Sequence, residues 1–257
     1  METLKDSCIL ASKCKLAGDK RHCNFTCFPH TLMHGLEGNG GIWKSTRVPK
    51  RYRKSFLHNL PIKEANPEAY DFIETYVQKI IPAVEEGIGL FLYSIPNKQN
   101  RKGTGTGKTT VATALVNEFV IERVIQHAKG GKRIVENPAI FMKASEFQNT
   151  YNAQFRGTDD MKDEAAIKFK KLKHLMINAE LLVFDDIALR GTTEAYQDIF
   201  YEIIDKRYNE ELATVFTSNI PIEQVGEVLN PQIESRIEGM TEPVAFEGKD
   251  FRKGGIL

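Results

Sequence analysis

The sequence predicts an α/β fold in which a parallel sheet is covered by helices on both faces. Short apolar runs alternate with longer segments of helical period from about residue 88 onward. The runs are apolar nearly throughout, as strands buried on both faces must be, whereas strands with one wet face alternate. Each segment between two runs is long enough for the crossover that parallel neighbours require.

Taken in order, Ile88–Ile95 (IGLFLYSI) reads as the first strand. Residues 109–128 form a helix that buries Val111, Ala114, Leu115, Val116, Phe119 and Val120. Ala139–Lys143 is a second strand, followed by a helix near Ser145–Phe155 and another through about 160–178. Leu181–Phe184 is a very apolar strand. Residues 194–209 place Tyr196, Ile199, Phe200, Ile203, Ile204 and Tyr208 on one helical face. Ala213–Thr217 is a further strand, and residues 241–252 (TEPVAFEGKDFR) read as one last strand. Ahead of the sheet, Glu68–Val84 carries Phe72, Ile73, Tyr76, Val77, Ile80 and Ile81 at helical spacing, ended by Pro82 and Gly87.

The net charge of +1 conceals an asymmetry. Residues 1–60 hold 11 Lys/Arg against 4 Asp/Glu, while the rest of the chain is net −6. A basic segment joined to a slightly acidic body suggests two functional parts. No apolar run approaches the roughly 18 residues of a membrane span, and METLKDSCILASKCK has no apolar core of a secretory signal. A cytoplasmic location, in a bacterium or a phage-infected host cell, is expected.

All four cysteines, Cys8, Cys14, Cys23 and Cys27, fall within twenty residues. In a reducing compartment such clustering favours a metal over disulfides. Zn²⁺ takes thiolates tetrahedrally and can hold together a segment too short for its own core. The spacing C-x5-C-x8-C-x3-C lacks paired C-x2-C units, and His22, His30 and His34 are close enough to replace a thiolate. Free buried thiols are the alternative. The expected organisation is a zinc-binding N-terminal domain over residues 1–41, a basic linker over 42–66 and the α/β domain over 67–257. The glycine-rich stretch from His34 to Gly41 reads as loop, and Lys44, Arg47, Lys50, Arg51, Arg53 and Lys54 stand among aromatics, a pattern suited to nucleic acid or to a solvated linker.

The strongest motif is Gly103-Thr104-Gly105-Thr106-Gly107-Lys108-Thr109-Thr110, directly opening a helix. Glycines let backbone N–H groups turn inward around a phosphate, and the helix N-terminus aims its dipole at the anion. Lys108 would neutralise the β and γ phosphates of ATP, and the Thr109 hydroxyl would ligate Mg²⁺. Lys102 stands where the usual first glycine of such loops does, and residues 95–102 lengthen the connection from the strand.

Leu181-Leu-Val-Phe-Asp-Asp186 ends a buried strand in two carboxylates, at the sheet edge where ligands bind. Asp185 is expected to hold Mg²⁺ and Asp186 to polarise the attacking water. Asn219, at the tip of the next strand, can reach the γ-phosphate, or simply cap a turn before Pro221. Arg236 is either a trans-acting arginine or a surface ion-pair partner.

With these residues in place, the chain resembles the DnaC/DnaI-like helicase loaders, phage-encoded ones above all, over nearly its whole length. The cysteine cluster, HGLEGNGGIW, VPKRYRKSFLHNLP, GTGTGKTT, LLVFDDI, VFTSNIP and ESRIEG carry the resemblance. It implies an AAA+ P-loop NTPase with a five-stranded parallel sheet and a separate N-terminal domain that grips the replicative DNA helicase. By the same analogy Lys108, Thr109, Asp185, Asp186, Asn219 and Arg236 serve as phosphate loop, magnesium ligand, catalytic acid, sensor and arginine finger, the last implying self-association. The segment Val48–Tyr52 would pack near the adenine. Single-stranded DNA binding is also implied, and Lys162, Lys168, Lys170, Lys171 and Lys173 near Phe169 and Tyr151 are candidates, or else the solvated face of a helix. About 21 residues follow Arg236, too few for a full C-terminal lid, and Arg252 is the remaining cation there. Competing functions are a transposition-helper ATPase, against which the cysteine cluster argues, a small-molecule kinase, and a non-hydrolysing zinc adaptor.

Overall fold

The computed structural model describes residues 3–98, 100–188 and 192–253. The chain opens with irregular turns and two short helices, α1 (Phe28–His34) and α2 (Gly41–Ser45), followed by α3 (Pro67–Gln78) and α4 (Ile80–Glu85). The sheet then assembles from β1 (Gly89–Ser94), β2 (Ala139–Lys143), β3 (Leu181–Asp185), β4 (Thr214–Ser218) and β5 (Thr241–Phe246). Between β1 and β2 lies α5 (Lys108–Ala128), and between β2 and β3 lie α6 (Ala144–Ala153) and α7 (Asp159–Asn178). Helix α8 (Glu194–Asn209) joins β3 to β4, and α9 (Val225–Val228) and α10 (Pro231–Met240) precede β5. The strand order is β2-β3-β4-β1-β5 and every pair is parallel, as expected.

The double-faced apolar strands make two cores. Leu90, Leu92, Val183 and Val215 point into one with α3, α4 and α5, while Phe91, Phe184 and Phe216 point into the other with α7, α8 and α10. Each fully buried phenylalanine contributes roughly 2–3 kcal/mol of transfer free energy. Helix α8 also supplies Arg207, whose fully buried guanidinium donates to the carbonyls of Met176, Ile177, Ala179 and Ala213 and to Thr214 Oγ1. It thereby caps the carboxyl end of α7, where free carbonyls and the helix dipole favour a cation.

Two expectations, the helix before the sheet and the extent of the last strand, are corrected. The helix anticipated over Glu68–Val84 breaks at Lys79 (φ −117°, ψ 25°), and Pro82 lies within the first turn of α4. An unbroken helix would drive the Pro82 ring into the carbonyl of Gln78, four residues back, whereas a first turn needs no N–H from it. The glycine-rich stretch is a loop as expected, a tight turn between α1 and α2: a Cβ on Gly41, at φ +63°, would strike the backbone of Leu32, Met33 and Gly35. The last strand ends at Phe246, and the chain beyond it turns back toward the sheet's carboxyl edge. The cysteine-rich segment packs on α5, with Leu10 and Met33 in the same core as Leu90 and the Lys13 ammonium paired to Glu118 (3.3 Å) and Glu122 (2.5 Å).

Candidate functional site

The carboxyl ends of β1, β3 and β4 meet the N-terminus of α5. Gly103, Gly105 and Gly107 all have positive φ, at 59°, 70° and 101°. At Gly107 the requirement is steric as well, since a Cβ would lie 2.6 Å from Ile62 Cγ2. Lys102 has no left-handed φ, so the backbone there does not demand the missing glycine. The added residues are braced by Asn100, which is buried, donates to Thr104 O at 2.7 Å and accepts from Thr104 N at 3.3 Å. Sequence reading missed this asparagine because its partner carbonyl is set by the turn, not by any local pattern.

From the first residue of α5, the Lys108 ammonium reaches Ser94 Oγ (2.5 Å), Asn219 Oδ1 (2.9 Å) and Gly103 O (3.3 Å). Burial pushes its pKa down to about 8, against the pull of Asp186 and Asp185. A desolvated ammonium held only by neutral acceptors is primed for an anion. Thr109 Oγ1 donates to Asp185 Oδ1 at 2.8 Å, and Thr217 Oγ1 donates to the same oxygen at 2.8 Å. Burial raises the Asp185 pKa, opposed by those two hydroxyls. A divalent cation beside it would favour the charged form.

Asp186 adopts φ +60°, rare for a residue with a Cβ, and such strain concentrates at functional sites. The turn is held by its N–H donating to Thr217 Oγ1 (2.8 Å) and by Asn219 Nδ2 donating to Asp186 Oδ1 (3.1 Å). Lys108, Asn219 and Asp186 therefore form one chain of contacts, and Thr109, Asp185 and Thr217 a second. Both border a cavity of about 300 Å³, which Tyr52, Lys143, Ser145 and Arg252 also line. Tyr52 belongs to the segment expected beside the base. Lys143 and Ser145 were not anticipated; Lys143 is paired in register with Asp185 at the end of β2.

The donor set fits a magnesium nucleotide: loop amides at a helix N-terminus, one ammonium, one hydroxyl and two carboxylates around one cavity. Mg²⁺ between Thr109 and Asp185 would neutralise charge on the terminal phosphates. Lys108, Asn219 and Asp186 stand together along one edge of that cavity.

Arg236 lies elsewhere. On α10 it bonds Asp205 through Nε at 2.8 Å and stacks 5.0 Å over Tyr208, outside this cavity. The expected DNA-binding aromatics are corrected, for Tyr151 and Phe169 are buried against each other, with ring centroids 5.5 Å apart. Phe169 falls on the buried stripe of α7, which the lysine count obscured. Phe155, just beyond α6, is exposed instead, and Lys162 and Lys173 are paired with Asp159 and Glu202.

In the N-terminal segment, ligand atoms of Cys8, His30 and His34 lie within 4.8 Å of one another. Cys14, Cys23 and Cys27 line the same hollow of about 600 Å³ as Cys8 and His30, and Cys14 is the exposed one of the four thiols. Cys8, His30 and His34 stand together because α1 places His30 and His34 one turn apart on a buried face. Burial, with smaller contributions from the other three thiols, pushes the Cys8 thiol up to about 11. Burial and His30 push His34 down to about 4. Two neutral imidazoles and one thiol fit zinc, whose binding would remove the thiol proton.

Residues 141–237 match the family described as IstB-like ATP binding protein. No curated protein matches the chain. Among solved structures, the DnaC helicase loader is similar at 22% identity over 77% of this chain and 99% of that one, with a TM-score of 0.54. DnaI is similar at 21% identity over 77% of this chain and 94% of that one, TM-score 0.54. The replication initiator DnaA, bound to AMPPCP and single-stranded DNA, shares 20% identity over 79% of this chain and 51% of its own, TM-score 0.52. At these identities the likeness shows the fold, an α/β domain on a five-stranded parallel sheet, and residues 141–237 are similar to the IstB-like ATP-binding family.

Proposed function

We propose that this protein is a magnesium-dependent ATPase that binds a replicative DNA helicase and helps place it on single-stranded DNA, in the cytoplasm of a bacterium or a phage-infected cell. The observation that carries the reading is the pair of contact chains at the carboxyl edge, Lys108–Asn219–Asp186 and Thr109–Asp185–Thr217. They stand on a fold similar to that of a helicase loader. ATP and Mg²⁺ occupy the cavity over Gly103–Thr110, Asp186 is the general base, and Asn219 reports the γ-phosphate.

The N-terminal segment, residues 1–41, is the helicase-binding part, followed by the basic stretch 42–66 and the ATPase domain 67–257. Supporting this, Leu16, Phe25, Phe28 and Leu36 are exposed within it, a density of large apolar groups that a partner would cover. Zn²⁺ on Cys8, His30 and His34 fixes that segment, with Cys23 or Cys27 in reach of the same hollow. Arg236 acts in trans between copies of the chain on the DNA. Lys168 and Lys171, on one groove with Arg47, attract the strand.

A second reading, a transposition-helper ATPase, is favoured by the IstB-like match. The two are separated by purifying the full chain with a replicative helicase and with a transposase. Helicase capture and faster helicase assembly on single-stranded DNA support the loader. Binding of double-stranded DNA and transposase, with helicase assembly unchanged, would replace it.

A further inference from the structure

The chain beyond β5 folds back over the phosphate loop. Asn66, buried beneath it, donates to Glu247 O at 3.0 Å and accepts from Glu247 N at 2.7 Å. Gly248, at φ +107°, allows the reversal. Phe251 N then donates to Gly105 O at 3.0 Å. The Asp250 side chain, only 10% exposed, lies so close to Gly105 that a Cβ there would collide with its carboxylate, and Thr104 Oγ1 stands 3.5 Å from Asp250 Oδ2. Arg252, half exposed, bonds Asp250 through Nε (3.0 Å) and Nη2 (3.4 Å). The same arginine lines the cavity of Lys108 and adds to the depression of that lysine's pKa.

A carboxylate against an anion-binding loop opposes the field that the loop offers to phosphates, and two anions on one short loop repel. Arg252 is tied to that carboxylate on one side and faces the nucleotide cavity on the other. We propose that residues 247–253 form a latch over the phosphate loop, in which Asp250 competes with the polyphosphate of a nucleotide and Arg252 is the cation handed to it. This rests on the nucleotide reading of the site. Binding displaces Asp250 from Gly105, transfers Arg252 from carboxylate to phosphate, and breaks the Phe251–Gly105 hydrogen bond. The latch thereby reports nucleotide to the surface that carries residues 247–253.

The test is titration of the full chain with a fluorescent ATP analogue and Mg²⁺, comparing wild type, Asp250→Asn, Asp250→Asn/Arg252→Gln and Asp250→Asn/Lys108→Ala. The amide keeps the shape of Asp250 and removes its charge. Asp250→Asn is expected to tighten binding about tenfold, and adding Arg252→Gln to return it by about as much. In wild type, hydrogen exchange at the Phe251 amide is expected to quicken when nucleotide binds. Affinity unchanged or weakened in Asp250→Asn, or Phe251 protection unaltered by nucleotide, overturns the latch. A double variant as tight as Asp250→Asn overturns the role of Arg252. Absence of binding in both wild type and Asp250→Asn, or binding indifferent to Lys108→Ala, overturns the nucleotide reading itself.

Discussion

Lys108 and Asn219 meet at the carboxyl edge of the sheet, where the ammonium donates to Asn219 Oδ1 at 2.9 Å while the amide nitrogen donates to Asp186 at 3.1 Å. One neutral side chain thus links the phosphate-binding cation to the proposed base. Replacing Asn219 by Ala is expected to slow ATP hydrolysis about a hundredfold with only a modest change in ATP affinity, a loss like that of one preorganised donor. Equal losses in turnover and affinity would instead make Asn219 a ground-state contact.

Asp186→Asn is expected to keep the fold, because asparagine tolerates the left-handed backbone that Asp186 adopts. Its hydrolysis should fall by about 10²–10⁴ while nucleotide binding persists. Single-turnover hydrolysis beside equilibrium binding checks this. A variant that hydrolyses at the parental rate removes Asp186 from the chemistry.

The depressed Lys108 pKa gives the site a pH dependence of definite sign. Below about pH 8 the ammonium is charged and meets phosphate directly; above it, binding must take a proton from solvent. Nucleotide affinity should be level near neutrality and fall as pH rises through 8, approaching about tenfold per unit. Because the folded protein holds fewer protons here than the unfolded chain, this group makes stability rise between about pH 8 and 10.5. Affinity measured from pH 6.5 to 9.5, with Lys108→Arg as the variant that removes the fall, tests the sign.

The sheet was legible because its strands are short, nearly all apolar, and separated by helices of adequate length. Ala139–Lys143 and residues 194–209 have the expected bounds. The phosphate loop was legible because its chemistry is local. What escaped depends on contacts between distant residues. Asn66 and Glu247 are 181 positions apart, and nothing near either announces the pairing. The histidines of α1 join Cys8 only through the packing of that helix, so cysteine spacing alone could not single out that group. Tyr151 and Phe169 looked available because a lysine-rich helix hides one apolar stripe.

The proposed zinc site at Cys8, His30 and His34 predicts a selective response to mutation. Purified full-length protein is expected to hold zinc by elemental analysis, lost in Cys8→Ser and in His34→Ala but kept in Cys14→Ser, since Cys14 is exposed. Loss of the metal should lower the unfolding temperature. Zinc lost in Cys14→Ser and kept in His34→Ala would restore the four-thiolate arrangement.

Arg236 is held by Asp205 and Tyr208 on its own chain, so a role in a neighbour's site requires that pair to open. Arg236→Ala should leave nucleotide binding intact and lower hydrolysis in assemblies on DNA by about 10³. Mixing it with Lys108→Ala chains should restore part of the activity. No recovery in the mixture, with stability reduced, would make Arg236 a structural ion pair.

The most direct measurement is ATP binding and hydrolysis by the wild-type chain and Lys108→Ala, each with and without Mg²⁺. Slow, magnesium-dependent hydrolysis that vanishes with the ammonium, together with weakened binding, is the expected result. Binding that survives the loss of Lys108 and ignores Mg²⁺ would contradict the account at its centre.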